Sequence, residues 1–479
     1  FYNEVTNPIR MLFERRIGTI VLKKFSSWSV SQKIATSFAF VIFTGSILLT
    51  LPISQLPTSN ATYFDNLFTA ISMVCVTGLF TESVHDSYTI FGQVVGMALM
   101  QIGGLGLMTL IASVITRLKG RIGLRNRLAV QEGINRGDAR GFREYLSDIL
   151  KYTAVIELTG FVLLSIRFVP EMGWPLGLFT SLFLAISAFC NAGFDPMGNV
   201  SLVDYVHDPL VNYVITSLII LGGIGFSVWF DVSKSVKCYF AKKCRPSLKV
   251  FFRGLSLHSR LAVSVSLVLI LVGLVFFVAV EYNNPNSIGT FTFQQKLLAG
   301  YFQTVTMRTA GFATIDYTTV YPFTLFWFVL TMFVGGSPGG TAGGLKTTTF
   351  AIIFLTLYNE LRGQSNVNIA NHTISRPQVR QAFVIFMALL GTLILGTSVL
   401  SILNPEVDFI YILFEAVSAI ATVGVSANLT PTLGELSQAV IMVLMFAGRI
   451  GPITMLDSLV RRTQKVQDVE FSKGTILIG

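Results

Sequence analysis

Charged residues are scarce in this chain. Aspartate, glutamate, lysine and arginine make up 13% of its 479 residues, about half the share found in soluble globular proteins. Cysteine is rare as well: there are 4, and their spacing matches no zinc site, dithiol motif or disulfide framework. These shortages exclude an ordinary soluble fold and a small disulfide-stabilised fold.

Hydrophobic residues take the place of the missing charges and make up 52% of the chain. The segments Ile34–Leu51, Leu261–Val280 and Ala382–Leu403 are apolar over about twenty residues, the length that an α-helix needs to cross a bilayer. The composition therefore predicts an integral membrane protein with several spans.

The formal net charge is +10, and the basic residues that produce it are clustered. Of the 35 lysines and arginines, 30 lie in the segments Arg10–Lys33, Arg117–Lys151, Lys234–Arg260, Arg362–Arg380 and Arg461–Lys473. This positive-inside bias predicts a cell-membrane protein with both termini in the cytoplasm. Residues 1–32 are expected to lie along the cytoplasmic membrane surface against lipid, and residues 461–479 to form a cytoplasmic tail. A nucleic-acid partner is the weaker interpretation.

A pattern of apolar residues ending in glycine occurs four times. The four segments are Leu67–Phe80 (LFTAISMVCVTGLF), Leu182–Phe194 (LFLAISAFCNAGF), Leu298–Phe312 (LAGYFQTVTMRTAGF) and Leu413–Val425 (LFEAVSAIATVGV). Their glycines, Gly78, Gly193, Gly311 and Gly424, are 115, 118 and 113 residues apart. Such even spacing predicts four domain-sized repeats, at residues 33–116, 147–236, 258–360 and 379–460.

Each repeat has a long apolar run on either side of the shared pattern. The run inside the pattern is about 12–14 residues, too short to cross. The basic clusters share one side only if this run enters the membrane and returns. We therefore predict an all-α membrane fold of eight spans and four re-entrant pore helices, in which four helix–pore-helix–loop–helix repeats surround a pseudo-fourfold central pore.

The glycine that ends each pattern has a specific use in this arrangement. Non-helical backbone at membrane depth must line water or be buried in protein, and carbonyl oxygens can replace the hydration shell of an ion. The candidate selectivity-filter residues are Val76, Thr77, Gly78, Asn191, Ala192, Gly193, Thr309, Ala310, Gly311, Thr422, Val423 and Gly424. A cation is expected at the ring of Gly78, Gly193, Gly311 and Gly424, and only a family resemblance can imply that this cation is potassium.

These motifs resemble the Trk/Ktr/HKT superfamily of potassium transporters over nearly the whole chain. Thr422–Val425 (TVGV) and Val76–Leu79 (VTGL) look like degenerate forms of the potassium-channel filter TVGYG. The chain looks most like the membrane subunit of the bacterial Ktr system. The resemblance implies potassium selectivity with a glycine in all four repeats. Sodium-preferring relatives have serine at the position of Gly78.

The same resemblance implies a homodimer and a cytoplasmic ring of nucleotide-binding regulatory subunits. ATP and ADP are expected only on that partner, because this chain has no nucleotide motif. No covalent cofactor and no enzymatic reaction are expected. Sodium is left open as a second transported or stimulating ion.

A glycine-rich stretch, VGGSPGGTAGGLK (Val334–Lys346), interrupts the second span of the third repeat. It does not fit a phosphate-binding loop, because Leu345 separates Gly344 from Lys346. We interpret residues 335–346 as an intramembrane gate, in this repeat only. A simple helix kink is the alternative. The gate residues are Gly335, Gly336, Gly339, Gly340, Gly343 and Gly344, with Arg449.

Four charged features bear on this hypothesis. The resemblance implies that Arg449 forms the closed barrier together with the glycine-rich stretch; a salt bridge or carbonyl capping is the alternative. Arg308 is expected to brace the third filter loop against Glu415 or Asp65, and Lys346 to reach the cytoplasmic interface. Acidic residues on the outer side are expected to attract cations: Glu82, Asp86, Glu171, Asp195 and Asp316.

The predicted function is therefore potassium translocation through a four-loop filter, controlled by the gate and a regulatory partner. A sodium-preferring member of the same superfamily is one alternative. A sodium-coupled transporter of an organic solute is another, although such folds commonly have inverted repeats. A membrane scaffold without transport would leave the repeated glycines unexplained.

Overall fold

The computed structural model describes residues 28–106, 142–198, 201–240, 252, 254–364, 366–369 and 372–459. Most of the predicted N-terminal segment, the end of the first repeat and the C-terminal tail lie outside these residues. The fold is helical, as predicted. In the described part, a pair of two-residue strands, Asn368–Ile369 and His372–Thr373, is the only sheet.

Along the chain, each long apolar helix is followed by a shorter one, and in three of the four cases two helices separated by an interruption come next. They are α1 Val30–Thr50, α2 Tyr63–Cys75, α3 Val84–Ser87, α4 Ile90–Leu105, α5 Phe142–Met172, α6 Trp174–Cys190, α7 Pro209–Gly223, α8 Phe226–Phe240, α9 Leu257–Glu281, α10 Phe293–Thr306, α11 Pro322–Phe333, α12 Thr347–Leu361, α13 Arg376–Leu403, α14 Phe409–Ile420, α15 Glu435–Ile450 and α16 Pro452–Leu459.

Four helices, α1, α5, α9 and α13, are long and apolar enough to cross a membrane. They lie where the first span of each repeat was expected. Their outward side chains are apolar and exposed, with 67% of Val275 and 70% of Leu395 accessible. A helix that exposes such residues is suited to contact with lipid, because lipid tails are as apolar as the side chains.

A short helix packs against each long one: α2 on α1, α6 on α5, α10 on α9 and α14 on α13. Capping boxes at Thr62 and Thr292 satisfy the first backbone N–H groups of α2 and α10. At 13 residues, α2 is roughly 20 Å long, well short of the ~30 Å hydrocarbon core. The corresponding α6 is 17 residues, longer than expected.

We predicted that only the second span of the third repeat is interrupted, and the structure differs from this prediction. Helices α7 and α8 meet at 101°, and α15 and α16 meet at 99°. The bends lie at Gly225 and Gly451, whose φ angles of +97° and +90° are outside the helical range and favour glycine. In the third repeat, the non-helical segment Val334–Lys346 separates α11 from α12. Three of the four segments that were expected to form second spans are therefore interrupted within the described residues.

Candidate functional site

Four loops with matching backbone conformations follow the short helices. Two residues before each glycine, the chain adopts a left-handed conformation: φ is 56° at Val76, 58° at Asn191, 71° at Thr309 and 50° at Thr422. The glycines that follow have φ of 105°, 70°, 89° and 93°. Left-handed backbone is uncommon outside glycine, above all at β-branched residues. The repeated pattern in the sequence therefore corresponds to a repeated backbone turn.

The four glycines meet at one place in the molecule. A Cβ added to Gly78 would lie 2.7 Å from the Ala192 carbonyl oxygen and 3.2 Å from the Cα atoms of Gly193 and Gly424. A Cβ on Gly311 would lie 2.8 Å from the Gly193 Cα. Backbone approaches this close leave no room for a side chain. The structure thus brings together the four candidate filter loops.

Serine side chains support two of these loops, although the sequence pattern did not single them out. The N–H groups of Gly78 and Gly424 donate to the hydroxyls of Ser72 and Ser418, at 3.1 and 3.0 Å. Both serines lie six residues before their glycine, and Ser187 has the same position in the second repeat. That recurrence is the signal that could have found them.

The segment Val334–Lys346, which we call the gate loop, lies directly against the filter loops. A Cβ on Gly343 would lie 2.0 Å from the Thr422 hydroxyl oxygen. The Thr341 hydroxyl donates to the Phe189 carbonyl at 3.1 Å and lies 3.3 Å from the Asn191 side-chain amide. Since Asn191 and Thr422 are candidate filter residues, the gate loop is in direct contact with two of the candidate filter loops.

Backbone hydrogen bonds fasten the gate loop to the break between α7 and α8. The N–H groups of Ser337 and Thr341 donate to the carbonyls of Gly223 and Gly222, at 2.9 and 3.1 Å. In return, the Phe226 N–H donates to the Gly339 carbonyl at 2.9 Å. The gate loop is therefore held by hydrogen bonds to both sides of the break between α7 and α8. The sequence did not indicate this break.

Arg449 lies beside the gate loop and donates to backbone carbonyls from two elements. Its guanidinium donates to the carbonyls of Thr341 and Gly103, and to that of Gly104 at 3.3 Å. Among the described residues it forms no ion pair. Arg449 thus caps backbone carbonyls, which was one of the alternatives from the sequence. These hydrogen bonds tie the gate loop to the end of α4.

The expectation for Arg308 was wrong in its partners. Arg308 contacts neither Glu415 nor Asp65: its guanidinium donates to the Ser266 hydroxyl at 3.0 Å and the Gly335 carbonyl at 3.2 Å. The Glu415 carboxylate, in α14, accepts instead from the hydroxyls of Ser426 and Thr430 in the segment that follows this helix. The nearest acceptor of Arg308 is therefore the hydroxyl of Ser266, which lies in α9.

Lys346 has a partner within the gate loop. Its ammonium donates to the Ala342 carbonyl at 2.6 Å. Lys346 therefore closes the gate loop upon itself. That this side chain reaches the cytoplasmic interface stays a prediction.

A cavity of about 1790 Å³ opens on the side of the gate loop that faces away from the four candidate filter glycines. Gate-loop residues Pro338, Gly339 and Gly344 line it, together with Arg449 and the ends of α8, α9 and α13. The gate loop and Arg449 thus lie between the candidate filter and a wide vestibule.

On the opposite side, Asp195 follows the second filter loop and lies in the connection between α6 and α7. Its carboxylate accepts from the Met197 N–H at 3.0 Å and the Ser201 hydroxyl at 2.6 Å. Burial raises the pKa of Asp195 to about 6, an effect that these hydrogen bonds oppose. Burial and the neighbouring Asp65 and Asp86 raise the pKa of Glu82. Glu171 pairs with Arg167 at 2.8 Å, which reduces its attraction for cations.

Apolar spanning helices, converging backbone loops and a vestibule behind a broken helix are features of membrane transport proteins. Comparison with known proteins identifies the class further. The family model TrkH, described as cation transport protein, matches residues 9–469. The chain therefore belongs to the TrkH family of cation transport proteins and is a multi-pass membrane protein, which confirms the resemblance found in the sequence.

Individual relatives are similar over nearly their whole length. The Ktr system potassium uptake protein B of Bacillus subtilis is 38% identical over 456 residues, covering 95% of this chain and 98% of the relative. The potassium/sodium uptake protein NtpJ of Enterococcus hirae is 36% identical, with 94% and 97% covered. The crystal structure of the potassium transporter TrkH from Vibrio parahaemolyticus has a similar fold, with a TM-score of 0.66, 17% identity, and 90% and 85% covered.

Proposed function

We propose that this protein carries potassium ions across the cell membrane through a selectivity filter formed by the four glycine loops. The observation that carries the proposal is the meeting of Gly78, Gly193, Gly311 and Gly424, where backbone alone fits. Carbonyl oxygens at such a point can replace the hydration shell of a potassium ion. The name of the relative from Bacillus subtilis, a potassium uptake protein, supports the choice of ion.

In this proposal the chain has eight spans and four re-entrant helices around a pseudo-fourfold pore. The repeats are residues 33–116, 147–236, 258–360 and 379–460, and both termini are cytoplasmic. The clustering of basic residues supports this orientation, because it places the wide vestibule and the clusters on the same side. The twelve candidate filter residues then line the narrow part of the pathway.

The gate loop and Arg449 close the pathway below the filter. A guanidinium at this position repels permeating cations, and its bonds to Thr341 and Gly103 hold the gate loop across the entrance to the vestibule. Opening requires the gate loop to leave the carbonyls of Gly222 and Gly223. Glycines in the loop lower the cost of such a change of conformation.

A partner is expected to supply the energy for that change. The relative from Bacillus subtilis is named as a component of a Ktr system, which supports a regulatory subunit for this chain too. We propose a homodimer that binds a cytoplasmic ring of nucleotide-binding subunits, with ATP and ADP on the ring. The basic cytoplasmic clusters are the surfaces through which the ring would bind.

The test is cation uptake into liposomes that contain the purified chain, with potassium, rubidium and sodium compared. Two forms are measured: the full chain and one in which residues 339–343 of the gate loop are removed. We expect slow uptake by the full chain and faster, potassium- and rubidium-selective uptake by the shortened one. A folded, shortened chain that transports none of the three ions would refute the proposal.

A sodium-preferring transporter is the second candidate, because the relative from Enterococcus hirae is named for both ions. The same assay separates the two. A rate for sodium above that for rubidium would favour the second candidate. Glycine at position 78, where sodium-preferring relatives have serine, favours the first.

A further inference from the structure

We infer that Arg308 links the gate loop to the third filter loop, so that opening the gate also changes the geometry of the filter. This rests on the proposed function of both loops. It assigns to Arg308 the role of a positioning residue that acts on selectivity through its neighbours, and not that of an ion ligand.

The position of Arg308 in the chain makes the link possible. It lies between the end of α10 at Thr306 and the filter residues that begin at Thr309. Its guanidinium donates to the Gly335 carbonyl at 3.2 Å and to the Ser266 hydroxyl of α9 at 3.0 Å. One planar group therefore joins the filter loop, the first residues of the gate loop and a spanning helix.

A second contact joins the same elements. The methyl group of Thr309 packs on Gly335 so closely that a Cβ on this glycine would lie 2.9 Å from it. Gly335 is also bound to the far end of the gate loop, because its N–H donates to the Leu345 carbonyl at 3.0 Å. Because close-packed interiors transmit displacement, Gly335 cannot move away without altering the packing of Thr309.

The charge of Arg308 makes the bond to Gly335 consequential. In the part of the chain that the structure describes, no carboxylate lies within ion-pair distance of Arg308, and its Nε has no hydrogen-bond partner. A cavity of about 20 Å³ beside it, bounded by Ser266, Gly223 and Gly336, has room for about one water molecule. If Gly335 moves away, the guanidinium loses one of its few hydrogen-bond acceptors. The closed position of the gate loop is therefore favoured by the free energy of that hydrogen bond.

The distribution of this residue among the repeats agrees with such a role. Three residues before the glycine, the other repeats have Cys75, Cys190 and Ala421. The cation thus occurs only in the third repeat, the one that contains the gate loop. A residue needed merely to support a filter loop would be useful in all four.

The test combines Arg308→Gln with the shortened gate loop. Glutamine keeps a hydrogen-bonding side chain but removes the charge and the guanidinium fork. In the full chain without partner, we expect rubidium uptake to rise about tenfold, the factor that one charge-assisted hydrogen bond contributes, and the preference for rubidium over sodium to fall. In the chain that lacks residues 339–343, the same substitution should add little to the rate, since the closed gate is already absent.

Ser266→Ala is the matched control. It removes the hydroxyl contact with α9 and leaves the guanidinium bonds to the Gly335 carbonyl and, at 3.5 Å, to the backbone carbonyl of residue 266, so uptake should stay near that of the unaltered chain. Equal rises for Ser266→Ala and Arg308→Gln would mean that Arg308 only supports α9, and would overturn the link. A full tenfold effect of Arg308→Gln in the shortened chain would overturn it too.

Two further outcomes are distinguishable. If Arg308→Gln does not fold, Arg308→Lys decides, because it keeps the charge but cannot reach Ser266 and Gly335 together. An increase of about threefold supports the link, and an unchanged rate refutes it.

Selective uptake by the shortened chain together with no effect of either substitution refutes the link alone. Absence of uptake by the shortened chain refutes the proposed function and the link with it.

Discussion

Replacing Gly311 with serine tests the four-loop filter most directly. A Cβ at this position would lie 2.8 Å from the Gly193 Cα and 2.9 Å from the Val423 carbonyl oxygen. Both are backbone atoms of neighbouring loops, so the loops have to shift rather than a flexible side chain. The φ of +89° adds strain of about 1–2 kcal/mol for any residue other than glycine.

The expected consequence is a loss of selectivity larger than the loss of rate. Displaced carbonyls no longer match the hydration shell of potassium, and a change of about 1.4 kcal/mol in relative binding is a tenfold change in preference. We therefore expect Gly311→Ser to lower the ratio of rubidium to sodium uptake about tenfold. Uptake would be measured in liposomes, in the chain with the shortened gate loop so that the rate is not limited by the gate.

Gly391→Ser serves as the control, since Gly391 lies in α13 with no atom near its added Cβ. It should leave the ratio unchanged. An unchanged ratio for a folded Gly311→Ser protein would refute the reasoning, because it would mean that the tight meeting of the four glycines does not determine which ion passes.

Three other predictions concern the surroundings of the filter. Arg449→Gln should raise partner-free rubidium uptake about tenfold, because it removes a charge and its bonds to two carbonyls; an unchanged rate would contradict the barrier. Asp195 should make uptake depend on external pH: its carboxyl is charged well above a pKa of about 6 and roughly one in ten is charged at pH 5, so uptake should fall between pH 7.5 and 5. Asp195→Asn should remove that decline, and a persistent decline would assign it to another group. Ser418→Ala should destabilise the protein by about 1–3 kcal/mol in thermal unfolding by leaving the Gly424 N–H unpaired; Ser187→Ala, whose hydroxyl has no partner among the described atoms, should have a smaller effect.

The repeats show which features a sequence can reveal. The four glycines are visible because they recur at nearly constant spacing, and the spanning helices are visible because each is a continuous apolar run. The bends at Gly225 and Gly451 were missed for the opposite reason. A glycine in an apolar helix is compatible with close packing and with a break, and neighbouring residues do not distinguish them.

The partners of buried cations were predictable only in part. The sequence indicates that Arg308 and Arg449 need compensation, because a charge at membrane depth is costly. A carboxylate was the expected partner for Arg308, yet the nearest acceptors are a carbonyl and a hydroxyl. Carbonyls are present at every residue, so no residue type in the sequence marks the one that is used.

The sequence by itself determined the membrane class, the family, the period of the repeat and the position of the glycine loops. These are properties of composition, spacing and local motif, and they can be read from the sequence without knowing which residues are in contact. Only the tertiary structure decided that the gate loop rests on the carbonyls of Gly222 and Gly223 at the end of α7, that Arg449 joins it to Gly103, and that Arg308 joins it to the third candidate filter loop. These contacts connect residues far apart in the chain, and they depend on how the helices and loops pack against one another.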